Sequence, residues 1–167
     1  MIHYISGGER SGKSNYAQEL ALTLSSTPVY VATSRIWDAD HQKRIDRHVN
    51  DRDERWTSVE EEKKISNVIK PHKTYVIDCI TLWLTNFYVD NKNNINLALV
   101  EAKEEFNKLL NIDANIIIIS NEIGMGIHAE TEVGRKFTEL QGWINQHIAK
   151  HANRATFMVS GLPLKLK

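Results

Sequence analysis

Apolar residues along the chain fall into short dense runs separated by longer amphipathic stretches. The runs Ile2 to Ile5, Val29 to Thr33, Thr74 to Ile77, Ile116 to Ile119 and Thr156 to Val159 are rich in β-branched and aromatic residues, and they predict five strands. Each is nearly continuous in apolar character, as a strand covered on both faces requires. Helical periodicity occupies the intervals, predicting helices at about Lys13 to Leu24, Asp38 to Asp53, Ile80 to Tyr88, Asn96 to Leu110 and Glu130 to His151. Strands alternating with helices give an α/β class with a mostly parallel sheet. The polar stretch Asp90 to Asn96 predicts an exposed loop between two helices, and Pro28 and Pro71 each shortly precede a strand, where the chain must reverse. With no repeat, low-complexity tract or linker, residues 1–167 are expected to form a single domain. The aromatic-rich stretch Trp83 to Tyr88 suits either the core or a subunit contact.

One loop in this pattern carries chemistry. Gly7-Gly8-Glu9-Arg10-Ser11-Gly12-Lys13-Ser14 matches Gly-x4-Gly-Lys-Ser and lies between the first predicted strand and the first helix, the context a phosphate-binding loop requires. Its glycines let backbone N–H groups and a helix N-terminus approach a phosphate closely. Lys13 would reach the β- and γ-phosphates, and the Ser14 hydroxyl would ligate Mg²⁺. The acid that completes such a site is expected at the end of a neighbouring strand. Asp78, closing Thr74-Tyr75-Val76-Ile77-Asp78, is the candidate; its bland alternative is an N-cap for the following helix. Asp113 precedes a strand instead of ending one and is a poorer candidate.

The predicted helix after the second strand reads DADHQKRIDRHVNDRDERW from Asp38 to Trp56. At helical spacing His41, Arg44, Ile45, His48 and Arg52 share a stripe about 100° wide. A solvated, locally paired helix and a triphosphate-facing helix with a nucleophilic imidazole explain this equally well. Later, Asn121 to Ile127 (NEIGMGI) places two glycines after a strand end, where open α/β sheets build ligand loops. Arg135, Phe137, Asn145 and Gln146 lie on the last helix, where an amphipathic surface element is the plain reading.

Charge and composition narrow the partners. With 21 basic and 21 acidic residues the formal charge is zero, which disfavours a dedicated nucleic-acid binder. The single cysteine, Cys79, reads as a small buried hydrophobe and suits a reducing cytoplasm. No leader-like opening and no apolar run near 20 residues occurs, so neither export nor membrane insertion is expected.

Taken together, GGERSGKS, YVATS at Tyr30 to Ser34, RIDRHVNDRDERW at Arg44 to Trp56, DCITLWLTN at Asp78 to Asn86, NEIGMGI and NQHIA at Asn145 to Ala149 resemble the bifunctional adenosylcobinamide kinase and adenosylcobinamide-phosphate guanylyltransferase family of cobalamin biosynthesis. The resemblance spans nearly the whole chain in the family's motif order. It implies a P-loop NTPase fold of the RecA type, three layers around a mostly parallel sheet. It also implies two reactions: transfer of a γ-phosphate to the aminopropanol hydroxyl of adenosylcobinamide, then transfer of GMP from GTP, through a GMP-histidine, to adenosylcobinamide phosphate. By this resemblance His48 is the nucleophile, with His41 as runner-up, and Lys13 stabilises phosphate charge. Gly7, Gly8, Glu9, Arg10, Ser11, Gly12, Lys13 and Ser14 hold the GTP phosphates, and Ala32, Thr33 and Ser34 with Val49, Asn50, Asp51 and Arg52 line the nucleotide site. Glu60 touches the guanosine part, while Ser14 and Asp78 serve Mg²⁺. For the kinase step the donor is left open between GTP and ATP, and a cytoplasmic homo-oligomer, a trimer, is implied. Two departures from the family pattern stand out: Asp53 and Ala129 each replace a frequent proline. The rival readings are a monofunctional small-molecule kinase, a non-catalytic nucleotide-binding scaffold, and a regulatory GTPase. The last lacks its guanine motif, because Asn91-Lys92-Asn93-Asn94 has no aspartate.

Overall fold

The computed structural model describes residues 1–35 and 53–167. The described strands form one sheet in the order β3-β2-β4-β5-β1-β6-β7. They are β1 (Ile2–Gly7), β2 (Val29–Ala32), β3 (Thr57–Glu60), β4 (Thr74–Asp78), β5 (Asn115–Asn121), β6 (Arg154–Val159) and β7 (Leu162–Lys165). All neighbours run parallel except β6 and β7. Among the described residues the helices are α1 (Lys13–Leu24), α2 (Ile80–Asp90), α3 (Ile95–Leu109) and α4 (Glu132–His151), with one 3-10 turn at Ile65–Asn67.

All five predicted strands form, and four of the five predicted helices do, within a few residues of their expected bounds. The fifth, Asp38 to Asp53, lies almost wholly outside the described residues. The loop expected over Asp90 to Asn96 is shorter, because α2 runs through Asp90 and α3 starts at Ile95. Asn94 caps α3, its side chain accepting from the N–H groups of Asn96 and Leu97 at 3.1 and 3.2 Å. Pro28 directly precedes β2, and Pro71 precedes β4 by three residues.

Two edge strands escaped the sequence pattern. β3 (TSVE) has one apolar residue and is mostly exposed. β7 (LPLK) contains a proline, which an edge strand tolerates because no ladder donor is lost on its open side. The turn before β7 uses Ser160 and Gly161, both at positive φ (51° and 81°), the geometry that matches the twist of a tight hairpin.

Side-chain alternation along the buried strands divides the core in two. Tyr75, Ile77, Ile116 and Ile118 face the layer that holds Trp83, Phe87, Phe106, Leu140 and Ile144 from α2, α3 and α4. Val76, Ile117, Ile119, Ile5 and Met158 face the other way, against Ala17 and Ala21 of α1. Each such isoleucine, buried completely, stabilises the fold by roughly 1.5–3 kcal/mol relative to exposure. Trp83, Leu84, Phe87 and Tyr88 are all buried, so the aromatic stretch belongs to the core. The Trp83 indole N–H donates to the Lys63 carbonyl at 2.9 Å. Among the described residues no helix is long and apolar enough to cross a membrane.

Two histidines titrate against this fold. His3 on β1 is buried and bonds Thr156 Oγ1 through Nε2 at 2.8 Å. Burial, then the positive charge of Arg154, lowers its pKa. Burial also lowers that of His147, helped by the positive charges of His151, Lys103 and Lys150. Between about pH 6.5 and the depressed folded values, the unfolded chain binds protons that the folded chain does not. Their contribution is therefore complete above pH 6.5 and is lost as the pH falls through that window. The urea midpoint should be lower at pH 5.5 than at pH 7.5, and His3→Gln should shrink the difference; equal midpoints for the wild type would contradict this assignment.

Candidate active site

β1 delivers the chain to the sheet's carboxyl edge at Gly7, and α1 begins at Lys13. The loop between them is closely packed. A Cβ on Gly7 would sit 2.5 Å from the Met158 carbonyl oxygen and 2.6 Å from Ser11 Oγ. Gly12, at φ 93°, turns the chain into α1 in a left-handed conformation that side chains disfavour. From the far side, the Gly161 N–H donates to the Ser11 carbonyl at 3.1 Å, so the β6–β7 turn braces the loop.

Lys13 is buried, and its ammonium donates to the Gly8 carbonyl at 2.6 Å, curled over its own loop. Burial pulls its pKa down, against the negative charges of Glu9 and Asp78. Such a cation is poorly solvated and gains from an anion placed beside it. Ser14 Oγ donates to Asp78 Oδ2 at 3.0 Å, and the same oxygen accepts from the Tyr30 hydroxyl at 2.6 Å. Asp78 thus serves the loop instead of capping α2, whose N-cap is Cys79 without a side-chain bond. Its strand does not adjoin β1, because β5 lies between them. Ser14, projecting from α1, bridges the gap. The Cys79 thiol is buried, its pKa pushed up to about 12 by burial and the Asp78 charge, so it behaves as the inert small hydrophobe expected. Asp113 lies at the opposite end of the sheet, before β5, and pairs with His72 at 3.2 Å.

The segment after β2 is locked to the same edge. The Thr33 N–H donates to the Asp78 carbonyl at 3.2 Å, and its hydroxyl to the Cys79 carbonyl at 2.8 Å. Asn86 Nδ2 donates to the carbonyls of Thr33 and Glu62 at 2.8 and 2.9 Å. Arg35 grips Asp90 with both terminal nitrogens, at 2.6 and 2.9 Å, and also bonds Glu62. The Arg35 guanidinium, and then the Lys63 ammonium at 3.0 Å, hold the Asp90 carboxyl well below the usual carboxylate range.

The fold therefore brings Gly7 to Ser14 together with Asp78, and sets Ala32 to Ser34 beside Asp78. Glu60, in register with Ala32 and exposed at the end of β3, lies four strand spacings from β1, about 19 Å along the edge. His48, His41 and Val49 to Arg52 lie outside the described residues. Asp53, where the family pattern favours proline, forms a local turn instead, accepting from the backbone N–H of Arg55 at 3.0 Å and from its guanidinium.

Three contributors were missed. Tyr30 looked like a core strand residue, yet its hydroxyl reaches Asp78 while its ring meets Trp56 edge-on at 6.3 Å. The Ser160–Gly161 turn carried a turn-forming dipeptide as its signal. Asn145 on α4, expected on an amphipathic surface element, is buried next to the buried Gln141. Asn145 accepts from Ser120 Oγ at 2.6 Å and donates to the Asn121 carbonyl at 3.2 Å, fixing the end of β5.

The family described as cobinamide kinase / cobinamide phosphate guanyltransferase matches residues 3–166. The chain belongs to that family. It is similar over its whole length to the bifunctional adenosylcobalamin biosynthesis protein CobP of Pseudomonas aeruginosa, 34% identical and covering 98% of that protein. It is likewise similar to the proteins of the same description named CobU, from Escherichia coli (32%) and Salmonella typhimurium (30%), each covered completely. Family membership therefore extends over the phosphate loop, Asp78, the β5 loop and α4 alike.

Packing at the loop yields a direct test. Gly7→Ala forces a methyl group against the Met158 backbone, and overpacking of this kind costs about 1–3 kcal/mol. Its urea midpoint should fall accordingly and its affinity for a fluorescent GTP analogue should drop, whereas Gly8→Ala, with open space at its Cβ, should keep its stability. Equal stability of Gly7→Ala and the wild type would contradict the packing described.

Proposed function

We propose that this chain performs both reactions of its family from a single nucleotide site. It transfers a γ-phosphate to the hydroxyl of adenosylcobinamide and then GMP from GTP to adenosylcobinamide phosphate. The observation that carries the reading is the Ser14–Asp78 contact beside a buried Lys13, inside a chain that the family covers from residue 3 to 166.

In the first step the backbone of Gly7 to Gly12 cradles the triphosphate. Lys13 leaves the Gly8 carbonyl for the phosphate oxygens, where its positive charge offsets the charge that spreads over them during transfer. The acceptor hydroxyl forms a bond to the γ-phosphorus, the bond to the β-phosphate oxygen breaks, and a nucleoside diphosphate leaves. GTP or ATP serves as donor. The Ser14 hydroxyl and the Asp78 carboxylate are hard oxygen donors 3.0 Å apart, a set that suits Mg²⁺. Mg²⁺ bound there would neutralise phosphate charge, and Tyr30 would keep Asp78 in place.

In the second step, resting on the family resemblance, a ring nitrogen of His48 attacks the α-phosphorus of GTP and pyrophosphate departs. A phosphate oxygen of adenosylcobinamide phosphate then attacks the same phosphorus, and the P–N bond breaks to restore the histidine. Ala32 to Ser34 and Val49 to Arg52 line the nucleotide site, and Glu60 meets the guanosine part. The protein works in the cytoplasm as a homo-oligomer, a trimer as in the family. A monofunctional kinase would share every feature of the phosphate loop but form no histidine adduct.

Incubation with GTP labelled at the α-phosphorus separates the two readings. The wild-type protein should acquire acid-labile, base-stable label, and His48→Ala should lose nearly all of it while still phosphorylating adenosylcobinamide. An unlabelled wild-type protein, or undiminished labelling of His48→Ala, would sink the assignment.

A further inference from the structure

The reading above leaves open where the corrin ring of the substrate rests, and the inference drawn here depends on that reading. The acceptor hydroxyl sits at the end of a short amide-linked arm. With ordinary bond lengths an arm of this kind reaches roughly 10 Å, so the ring must lie beside the phosphate loop at the sheet's carboxyl edge. The macrocycle is largely hydrocarbon; one face carries the adenosyl group on cobalt, which leaves the other face for apolar contact, and its rim carries carboxamides that both donate and accept hydrogen bonds.

Among the described residues, one surface beside the loop has this character. β1 and β5 pair so that Gly7 lies opposite Asn121, and the Glu122 N–H donates to the Gly7 carbonyl at 3.0 Å. The segment leaving β5 therefore starts at the first glycine of the phosphate loop. Four residues along this segment from Asn121 comes Met125, 77% exposed, and then Ile127, 99% exposed. Glycines flank Met125 on both sides. A cleft of about 270 Å³ opens behind this tip, with Gly124, Ile127, His128, Arg135, Thr138 and Glu139 among its walls.

Internal bonds set the segment's shape. Glu122 Oε1 accepts from the Gly124 N–H at 2.8 Å. Arg135 Nη1 donates to the carbonyls of Ala129 and Glu130 at 3.1 and 2.7 Å, pinning the return of the segment against α4. Among the described residues Arg135 makes no ion pair. A second exposed apolar stripe, Leu162, Leu164 and Leu166, fits less well. β7 runs antiparallel to β6, so it carries those side chains away from the carboxyl edge.

We propose that residues 122–131 form the corrin-binding surface, with Met125 and Ile127 against a face of the ring and the Arg135–Glu139 side of α4 meeting its carboxamides. A thioether suits this role because its unbranched chain adapts to a flat partner. Removing apolar contact of this size weakens binding by roughly tenfold or more.

The test compares Met125→Ser, Ile127→Ser and, as a control, Leu164→Ser with the wild type. Kinase kinetics with adenosylcobinamide, GTP affinity and oligomeric state by light scattering are measured for each. The expected result is a KM for adenosylcobinamide raised about tenfold in the first two variants, with GTP affinity and oligomeric state unchanged, and no change in Leu164→Ser. An unchanged KM in both variants overturns the proposal. A changed oligomeric state also overturns it, because the patch then belongs to a second copy of the chain. A wild-type protein that does not phosphorylate adenosylcobinamide at all overturns the functional reading itself, and the proposal with it.

Discussion

The contact between Gly7 and the Met158 backbone governs the architecture of the site. Gly7 pairs with Met158 across β1 and β6, and a Cβ there would meet the Met158 carbonyl and Ser11 Oγ, so the chain leaves β1 for the phosphate loop at a position that only glycine fills without strain. The β6–β7 turn then closes on the other side of the loop through Gly161 and Ser11. A loop braced on both sides presents its N–H groups without needing to be ordered by the ligand, which is the form of preorganisation that phosphate binding and transfer reward.

From that fixed loop the other polar groups take their places. α1 points Ser14 across β5 to Asp78, and Tyr30 closes the same carboxylate from β2. Thr33 and Asn86 tie β2 to the start of α2, and Arg35 ties the chain beyond β2 to the end of α2. Residues from two strands, the segment that follows β2 and two helices thus hold one carboxylate and its surroundings. The buried lysine completes the arrangement: burial strips its ammonium of solvent beyond what the Glu9 and Asp78 charges offset, and a triphosphate placed beside it stabilises that charge.

Much of this was legible in the sequence because it follows from local pattern. Buried parallel strands such as Ile116 to Ile119 must be apolar on both faces, and the Gly-x4-Gly-Lys-Ser spacing has a physical reason at each position. What escaped depended on contacts between distant segments. β3 and β7 are edge strands whose few apolar residues carry no two-faced burial, so composition could not reveal them. Tyr30, Asn145 and Gln141 act through partners 48, 25 and 21 residues away, a relation that only the folded chain expresses. The strand inserted between β1 and β4 is likewise a matter of topology, invisible in the order of the motifs along the chain.

The central claim is that one phosphate loop serves both transfers, and Lys13→Ala tests it most directly. In single-turnover experiments with GTP, formation of adenosylcobinamide phosphate and formation of the protein-bound GMP adduct should both slow by roughly a hundredfold or more, since both need the same buried charge beside the same triphosphate. Loss of kinase activity with adduct formation at the wild-type rate would contradict the account and require a second nucleotide site.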